Sequence, residues 1–247
     1  MENREEKNLL LDRSYTCPVC ETMFKSKSVK TGAAKLIDTA IDLRPIYHNV
    51  DVTKYDVVLC PQCGYAALTK YFQNLSQAQI MFLKNKVAAN FKKRTMVYDY
   101  YDYDVTLERF KLALLSAMVK NAEPSELGFI SLKISWLLQN RKDALEASEK
   151  DYDTLANDYE REASAYSKKA LEYFMQARME EEYPICGMDM PTLDYLLAAL
   201  CTMDNQLDKA MRMLSLVSSN REASDRLKNK AYDLKTIISE KQKLVSM

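Results

Sequence analysis

Two similar cysteine motifs decide the fold of the N-terminal part of this chain: Cys17-Pro18-Val19-Cys20 and Cys60-Pro61-Gln62-Cys63-Gly64. Each has two residues between its cysteines and a proline directly after the first one. Paired CxxC motifs are typical of a structural zinc site, in which each motif forms a tight turn, or knuckle, and supplies two thiolate ligands. The sequence therefore predicts one structural Zn²⁺ ion, with iron as the alternative metal. The predicted ligands are Cys17, Cys20, Cys60 and Cys63.

The residues around the two motifs predict a small β module. Gly64 follows the second motif, where a residue free to adopt positive φ lets backbone N–H groups turn toward the sulfurs. Glu21 occupies that place after the first motif, and we expect its turn to be less favourable. The β-favouring runs Met23–Val29 and Tyr55–Leu59 are each predicted to form a strand of a knuckle.

Other uses of four cysteines fit the sequence less well. A disulfide framework belongs to oxidising compartments, and the charged N-terminus MENREEKNLLLDR lacks the apolar stretch of a signal peptide. We therefore expect a cytoplasmic protein. A thioredoxin-like redox site needs one CxxC at a strand-to-helix junction of a βαβ unit. A catalytic zinc ion usually has three protein ligands and an open position, whereas four cysteines close the coordination shell.

Composition indicates a helical remainder without a membrane span. The chain has 247 residues, only four glycines and six prolines, and no long apolar run. The net charge is zero, but residues 1–95 hold 15 Lys+Arg against 9 Asp+Glu, and the remainder is acidic. This asymmetry is too mild to require a nucleic-acid partner.

Helical periodicity begins after Tyr65. The last helix pair has the alternation of small and large residues that is typical of tetratricopeptide repeats. We predict a mainly α protein in two domains, a zinc-knuckle β module at 1–66 and an irregular tetratricopeptide-like helical array at 67–247. The predicted helices are 68–93, 105–121, a helix capped by Ser125 that ends near Asn140, a pattern over 144–181, 192–203, 207–219 and 221–244.

Several residues have two interpretations. The segment VYDYYDYD at 97–104 is either a connection between helices or an acidic, aromatic docking surface. His48 is the single histidine, and we interpret it as a loop residue. The basic run at 92–94 is interpreted as a solvated helix end. We expect Cys201 to be buried and Cys186 to lie in a loop, and neither is assigned to the metal.

The motif residues also resemble a known family. The segments CPVC, DLRPIY (42–47) and YDVVLCPQCGYAAL (55–68) resemble the bacterial domain-of-unknown-function family 2225. The resemblance covers most of the chain and implies two knuckles followed by tetratricopeptide-like helices. It implies metal binding by the four motif cysteines and places Arg44 and Tyr47 in a recurring element, without a role. Physically, we expect Arg44 to form an ion pair with Asp42 or Asp56.

No catalytic constellation accompanies these features. The sequence lacks GxSxG, HExxH and a glycine-rich phosphate loop. We therefore expect a non-enzymatic zinc-binding adaptor that contacts a protein partner, or a second copy, through its helical surface, with no catalytic and no cofactor-binding residues. One alternative is a zinc-ribbon nucleic-acid binder that uses Lys25, Lys27, Lys30 and Lys35. A thiol switch that releases zinc on oxidation is another, and an unrecognised enzyme is the remaining alternative.

Overall fold

The structure is a computed structural model that describes residues 2–93, 95, 97–146 and 151–245. The described part is mainly α-helical, as predicted, with three small two-stranded sheets close to the N-terminus. No helix in the described ranges is long and apolar enough to cross a membrane.

The N-terminal elements are one short helix and six strands. They are α1 (Glu2–Asn8), β1 (Leu10–Thr16), β2 (Met23–Val29), β3 (Leu36–Thr39), β4 (Pro45–Tyr47), β5 (Val57–Leu59) and β6 (Ala66–Leu68), with a 3₁₀ turn at Val52–Tyr55. The strands pair as β1–β2, β3–β4 and β5–β6. The predicted strand Met23–Val29 is confirmed, and the predicted run 55–59 forms a strand over its last three residues.

Seven further helices follow within the described ranges. They are α2 (Gln77–Leu83), which continues as a π-helical turn over Lys84–Ala88, α3 (Tyr103–Val119), α4 (Pro124–Asp143), α5 (Tyr152–Glu180), α6 (Met190–Met203), α7 (Leu207–Ser219) and α8 (Asp225–Val245). The predicted pair 192–203 and 207–219 corresponds to α6 and α7, and the predicted final helix corresponds to α8.

Several predicted helix boundaries are wrong. The first predicted helix ends with the π-helical turn at Ala88, not at 93, and the last begins at Asp225, not at 221. The helix predicted from residue 68 begins at Gln77, because Ser76 and Gln79 form a capping box that defines the helix start. Ser125 lies inside the first turn of α4, since the Glu123 carbonyl already accepts from Glu126 and Leu127 and Pro124 occupies the first helical position. The helical pattern predicted from residue 144 begins at Tyr152, although residues 147–150 of that pattern lie outside the described residues.

The described chain divides into two compact units. Unit 1 comprises residues 1–38, 45–122 and 136–160, and unit 2 comprises residues 39–44, 123–135 and 161–247. The predicted domains 1–66 and 67–247 stay a prediction.

Unit 1 has two apolar clusters. One contains Cys17, Cys60 and Cys63 together with buried Tyr65, Phe72, Leu83 and Val87. The other contains Leu10, Val50, Tyr55 and Tyr101. Helix α3 packs on the β5–β6 hairpin through its buried face, where the Ala66 N–H donates to the Ser116 hydroxyl at 3.3 Å. Met118, near the end of this helix, is 54% exposed.

Unit 2 is built around α6, whose residues from Pro191 to Thr202 are buried almost without exception. Helix α7 packs on it through Ala210, Leu214 and Val217. In the same unit, a Cβ added at Gly128 of α4 would lie 3.2 Å from the Tyr173 side chain of α5 and 3.3 Å from the Phe174 ring. The two helices therefore approach closely because this position lacks a side chain.

Candidate metal centre

Each cysteine motif lies at the turn of a β-hairpin. The first joins β1 to β2, and the second joins β5 to β6. The two turns have the same backbone hydrogen bonds: the Cys17 carbonyl accepts from Glu21 at 2.9 Å, and the Cys60 carbonyl accepts from Gly64 at 3.0 Å. The Cys17 and Cys60 N–H groups then donate to the carbonyls of Thr22 and Tyr65, respectively. Two equivalent knuckles therefore present two sulfurs each.

The residue after each knuckle has a left-handed conformation. Gly64 has φ +73°, and Glu21 has φ +61° in spite of its side chain. The expectation that glutamate makes the first turn less favourable stays a prediction, since the two turns have the same backbone hydrogen bonds. At Gly64 a second constraint operates, since a Cβ there would lie 2.3 Å from an atom of the Phe91 ring.

The four cysteines converge as the spacing predicts. The ligand atoms of Cys17, Cys20, Cys60 and Cys63 all lie within 4.8 Å of one another. The Sγ atoms of Cys17 and Cys63 are 3.6 Å apart, and so are those of Cys20 and Cys60. A tetrahedral zinc ion with Zn–S bonds of about 2.3 Å requires sulfurs about 3.8 Å apart. The cluster therefore has the size that such an ion needs.

Disulfides do not account for this cluster. All four cysteines are free thiols, and separations of 3.6 Å far exceed the S–S bond length of about 2.05 Å. The sulfurs come from two different hairpins, so a shared cation would cross-link cysteines 40 to 46 positions apart in sequence.

The surroundings of the cluster are apolar. Cys17 and Cys60 are fully buried, Cys63 is nearly so, and Cys20 is half-buried. The Tyr65 and Phe72 rings stack with centroids 5.0 Å apart within the same cluster of buried residues. Four sulfur ligands in such a shell leave no coordination position for a substrate, which is typical of structural sites.

The thiols influence one another's pKa values. Hydrogen bonding with Cys60 raises the pKa of Cys17, and hydrogen bonding with Cys17 and Cys60 raises the pKa of Cys63. The pKa of Cys60 is lowered instead. Its sulfur accepts hydrogen bonds from the thiols of Cys17 and Cys63, and also from the backbone N–H groups of Cys63 and Gln62. A divalent cation that binds all four sulfurs must displace the remaining protons.

The other cysteines lie apart from this set. Cys201 is fully buried in α6, as expected, and burial raises the pKa of its thiol. Cys186 lies in the loop before α6, as expected, and its S–H donates to the Ser125 carbonyl at 3.3 Å.

The DLRPIY element forms a hairpin tip. The Ala40 N–H donates to the Arg44 carbonyl, Leu43 has φ +64°, and the Arg44 N–H donates to Asp42 Oδ1 at 3.2 Å. Within unit 2, Lys230 of α8 donates to the Thr39 carbonyl at 3.2 Å, and Asp42 is only 2% exposed. This tip is therefore an anchored turn. The expected ion pair of Arg44 with Asp42 or Asp56 stays a prediction.

Tyr47 and His48 follow this tip. Burial and the nearby carboxylates of Asp51 and Asp56 raise the pKa of Tyr47. His48 is exposed in a bend after β4, where its backbone N–H donates to the Lys35 carbonyl.

The tyrosine-rich segment 97–104 connects α2 to α3 and contributes to the core of unit 1. Tyr101 is buried and stacks on Tyr55 with centroids 5.2 Å apart. The Arg109 guanidinium lies 4.2 Å from the centroid of the Tyr101 ring and donates to Ser26 Oγ and the Val57 carbonyl. Sequence analysis missed Arg109. Its position beside Phe110 on the buried stripe of α3 was the available signal.

The comparisons with known proteins give a family and one relative. A protein described as "Uncharacterized protein" from Borreliella burgdorferi is 30% identical over 91 residues, which is 34% of this chain. This chain spans only 32% of the length of that relative. No solved structure matches the chain. The family described as "Uncharacterized protein conserved in bacteria (DUF2225)" matches residues 10–238, nearly the whole chain, so the resemblance noted from the cysteine motifs is confirmed and the protein belongs to this family.

Proposed function

We propose that the protein is a non-enzymatic zinc-binding adaptor. In this proposal, a structural zinc ion holds the two knuckles of unit 1 together, and the helices of unit 2 bind a protein partner. The spacing of the four sulfurs supports zinc as the metal, because the observed 3.6 Å separations are close to those of a tetrahedral zinc site.

A structural role for the metal is supported by the ligand set. Four cysteines complete the coordination of zinc and leave no site for a bound water that could act as a nucleophile. The exposed His48 lies in a bend outside the apolar cluster that contains the cysteines. Both features favour a scaffold over an enzyme. A cytoplasmic location is part of the proposal.

The outer face of the helices in unit 2 carries the proposal of partner binding. The inward-facing residues of α7 and α8, such as Leu214 and Leu234, are buried. By contrast, Leu216 on α7 is 43% exposed and Tyr232 on α8 is 72% exposed. Large aromatic and aliphatic side chains are the usual anchors of protein interfaces. Adjacent helices of a tetratricopeptide-like array present such residues to a bound segment or subunit.

The experiment compares three forms of the full chain in a co-purification from the native cell, followed by sizing of each complex. Leu216→Glu/Tyr232→Glu places two carboxylates on the proposed surface. Ser164→Glu/Ala165→Glu adds two carboxylates at exposed positions of α5, outside that surface, and is the matched control. The proposal expects a partner, or a second copy, that the wild type and the control retain and the double variant loses.

If the double variant retains the same complex at the same yield, the partner does not bind through Leu216 and Tyr232. A chain that stays monomeric and without a stable partner in all three forms would contradict the adaptor function itself. Circular dichroism of the variants checks that the helices remain folded.

A further inference from the structure

A long part of unit 1 contains no acidic residue. Between Asp56 and Asp99 there is no Asp or Glu, although the whole chain has 35 acidic residues among 247. The same stretch contains six basic residues, which are Lys70, Lys84, Lys86, Lys92, Lys93 and Arg94. It includes the second knuckle and α2. A surface that binds an anion is expected to lack carboxylates, because they would repel it.

Four of these lysines are exposed and have no internal acidic partner. Lys84 and Lys86 project from the π-helical turn after α2, and Lys92 and Lys93 follow it. Among the described residues, none of the four forms an ion pair, in contrast with Lys27, which lies 2.9 Å from Asp12. Arg94 lies outside the described residues. The positive charges of this surface are therefore available to a ligand.

The lysines belong to the elements that enclose the second knuckle. Leu83 and Val87, on the same helical segment as Lys84 and Lys86, are buried in the cluster that contains Cys60 and Cys63. Phe91, directly before Lys92, packs on Gly64 of the knuckle. We call the exposed surface formed by residues 81, 82, 84–86 and 92–93 the basic α2 surface. Because its backbone is anchored to the knuckle, its charges are held on a fixed support.

Exposed apolar and aromatic groups accompany these charges. Met81 is 55% exposed and Phe82 is 36% exposed on α2. Nearby along the chain, the Lys70 ammonium lies 4.4 Å from the centroid of the half-buried Tyr71 ring. A positively charged groove that follows a phosphate backbone, with aromatic rings on which bases stack, is how proteins bind single-stranded nucleic acid without sequence preference.

The lysines suggested by sequence analysis make a weaker surface. Lys27 pairs with Asp12, and Lys30 donates to the Asn8 carbonyl at 2.7 Å. Two of those four lysines therefore already have partners within the protein. Glu21 and Asp12 also lie within that region, where their carboxylates would repel phosphate. The basic α2 surface has no such carboxylate in its own sequence.

We propose that the basic α2 surface binds single-stranded nucleic acid through its phosphate backbone, with Phe82 as a stacking platform. This binding is additional to the proposed adaptor function, because it uses unit 1 whereas the adaptor surface lies on unit 2. The absence of carboxylates over the whole stretch favours a polyanion over an acidic peptide, which would need only a local basic patch.

The test measures fluorescence anisotropy of a labelled 20-nucleotide oligo(U) or oligo(dT) with the full, zinc-loaded chain from 20 to 300 mM NaCl. Four phosphate contacts predict a slope of log K against log salt of about −3. Lys84→Glu/Lys86→Glu is expected to weaken binding at least tenfold at low salt and to flatten this slope. Phe82→Ala is expected to weaken binding roughly fivefold or more without changing the slope.

The matched control is Lys25→Glu/Lys35→Glu, which makes the same change of net charge at two exposed positions outside the basic α2 surface. Its affinity should remain within about twofold of the wild type. Equal weakening by both double variants would overturn the proposal, because binding would then follow net charge alone. Absence of binding by the wild type at 20 mM NaCl would overturn it too.

Two further outcomes would replace the proposal by another explanation. If poly-glutamate binds to the basic α2 surface and the oligonucleotides do not, the partner is an acidic protein segment. If Lys84→Glu/Lys86→Glu lowers the retained zinc against a chelator while oligonucleotide binding is unchanged, the lysines only balance the negative charge of the four thiolates. Zinc content is therefore measured for every variant.

Discussion

At the scale of single residues, the two knuckles differ in the position that follows each second cysteine. Both Glu21 and Gly64 have positive φ, and a Cβ at Gly64 would lie 2.3 Å from an atom of the Phe91 ring. The same backbone turn therefore tolerates a side chain in one knuckle and excludes it in the other. The difference arises from Phe91, which is 27 positions further along the chain than Gly64.

This difference predicts opposite responses to substitution. Gly64→Ala should lower the free energy of unfolding by about 2–4 kcal/mol, because the new Cβ forces Phe91 to move and adds left-handed strain. Glu21→Gly, at the equivalent position, should change it by no more than about 1 kcal/mol. Urea unfolding of zinc-loaded protein measures both. A Gly64→Ala variant as stable as the wild type would contradict the packing of Phe91 on this knuckle.

A buried ion pair in unit 1 gives a second prediction. Lys54 Nζ lies 2.6 Å from Glu6 Oε1, both side chains are almost buried, and the Tyr55 hydroxyl donates to the same carboxylate at 2.7 Å. Glu6→Gln should lower the free energy of unfolding by about 3–5 kcal/mol, because it leaves the Lys54 ammonium buried without its counter-charge. Denaturant unfolding at neutral pH measures the loss.

Two variants accompany this measurement. Glu6→Gln/Lys54→Met removes both charges and should recover most of the lost stability. Asp99→Asn removes the partner of exposed Lys7 and should have no measurable effect, since exposed pairs contribute little. A single Glu6→Gln variant no less stable than Asp99→Asn would show that the Lys54 ammonium does not need this carboxylate.

At the scale of elements, helix α2 depends on its capping box more than on its length. Ser76 Oγ accepts from the Gln79 N–H at 3.3 Å, and Gln79 Oε1 accepts from the Ser76 N–H at 3.0 Å. The Gln79 amide also donates to the Lys120 carbonyl at the end of α3. One side chain thus defines the start of α2 and connects it to the neighbouring helix.

We therefore expect Ser76→Ala to destabilise the protein by about 1 kcal/mol, whereas Ser76→Asp should be nearly neutral because aspartate also caps helices. Thermal unfolding monitored by circular dichroism compares the two. If both variants melt at the wild-type temperature, the capping box is not what stabilises this helix end. Gln79→Ala should cost at least as much as Ser76→Ala, since it removes the contact with α3 as well.

The contact between α4 and α5 depends on Gly128. Gly128→Val should lower the free energy of unfolding by about 2–3 kcal/mol, because the added methyl groups overlap Tyr173 and Phe174. Ala165→Val on the exposed side of α5 is the matched control and should change it by less than about 1 kcal/mol. Valine is a better helix former than glycine, so a Gly128→Val variant no less stable than Ala165→Val would contradict a close contact between α4 and α5 at this position.

At the scale of the whole molecule, a metal ion bound by the four cysteines would cross-link the two hairpins of unit 1. Its apolar cluster is small and includes three of the cysteines themselves, so the metal and the core are expected to form together. Metal removal should therefore loosen unit 1 before the α6–α8 helices of unit 2.

Metal content tests this expectation. Mass spectrometry of untagged protein should find one zinc ion per chain, and Cys60→Ser should lose it together with protection of β5 and β6 from hydrogen exchange. Cys186→Ser, which changes a loop thiol outside the cluster, should retain the full amount. One zinc per chain in Cys60→Ser would contradict the four-cysteine site, and iron in place of zinc would revise the metal.

Much of the fold and of the candidate site followed from local patterns. The CxxC spacing predicted which four cysteines meet, because each motif forms its turn within a few residues. The period of apolar residues predicted α6 and α7 with ends within two residues of those observed, since their inward faces read as regular stripes. The predicted helix start at 68 and the predicted Ser125 cap were wrong. Capping residues and a proline, rather than the period of apolar residues, determine where these two helices begin.

By itself, the sequence determined which four cysteines meet, the two hairpin turns, the mainly α class and the family, all of which depend on patterns of residues close together in the chain. Only the tertiary structure decided that Phe91 closes over Gly64, that Tyr101 and Arg109 join the core of unit 1, and that the 39–44 tip is held by α8. These contacts join residues that are distant in sequence. Their energies depend on shape and burial after folding, and no local pattern encodes either quantity.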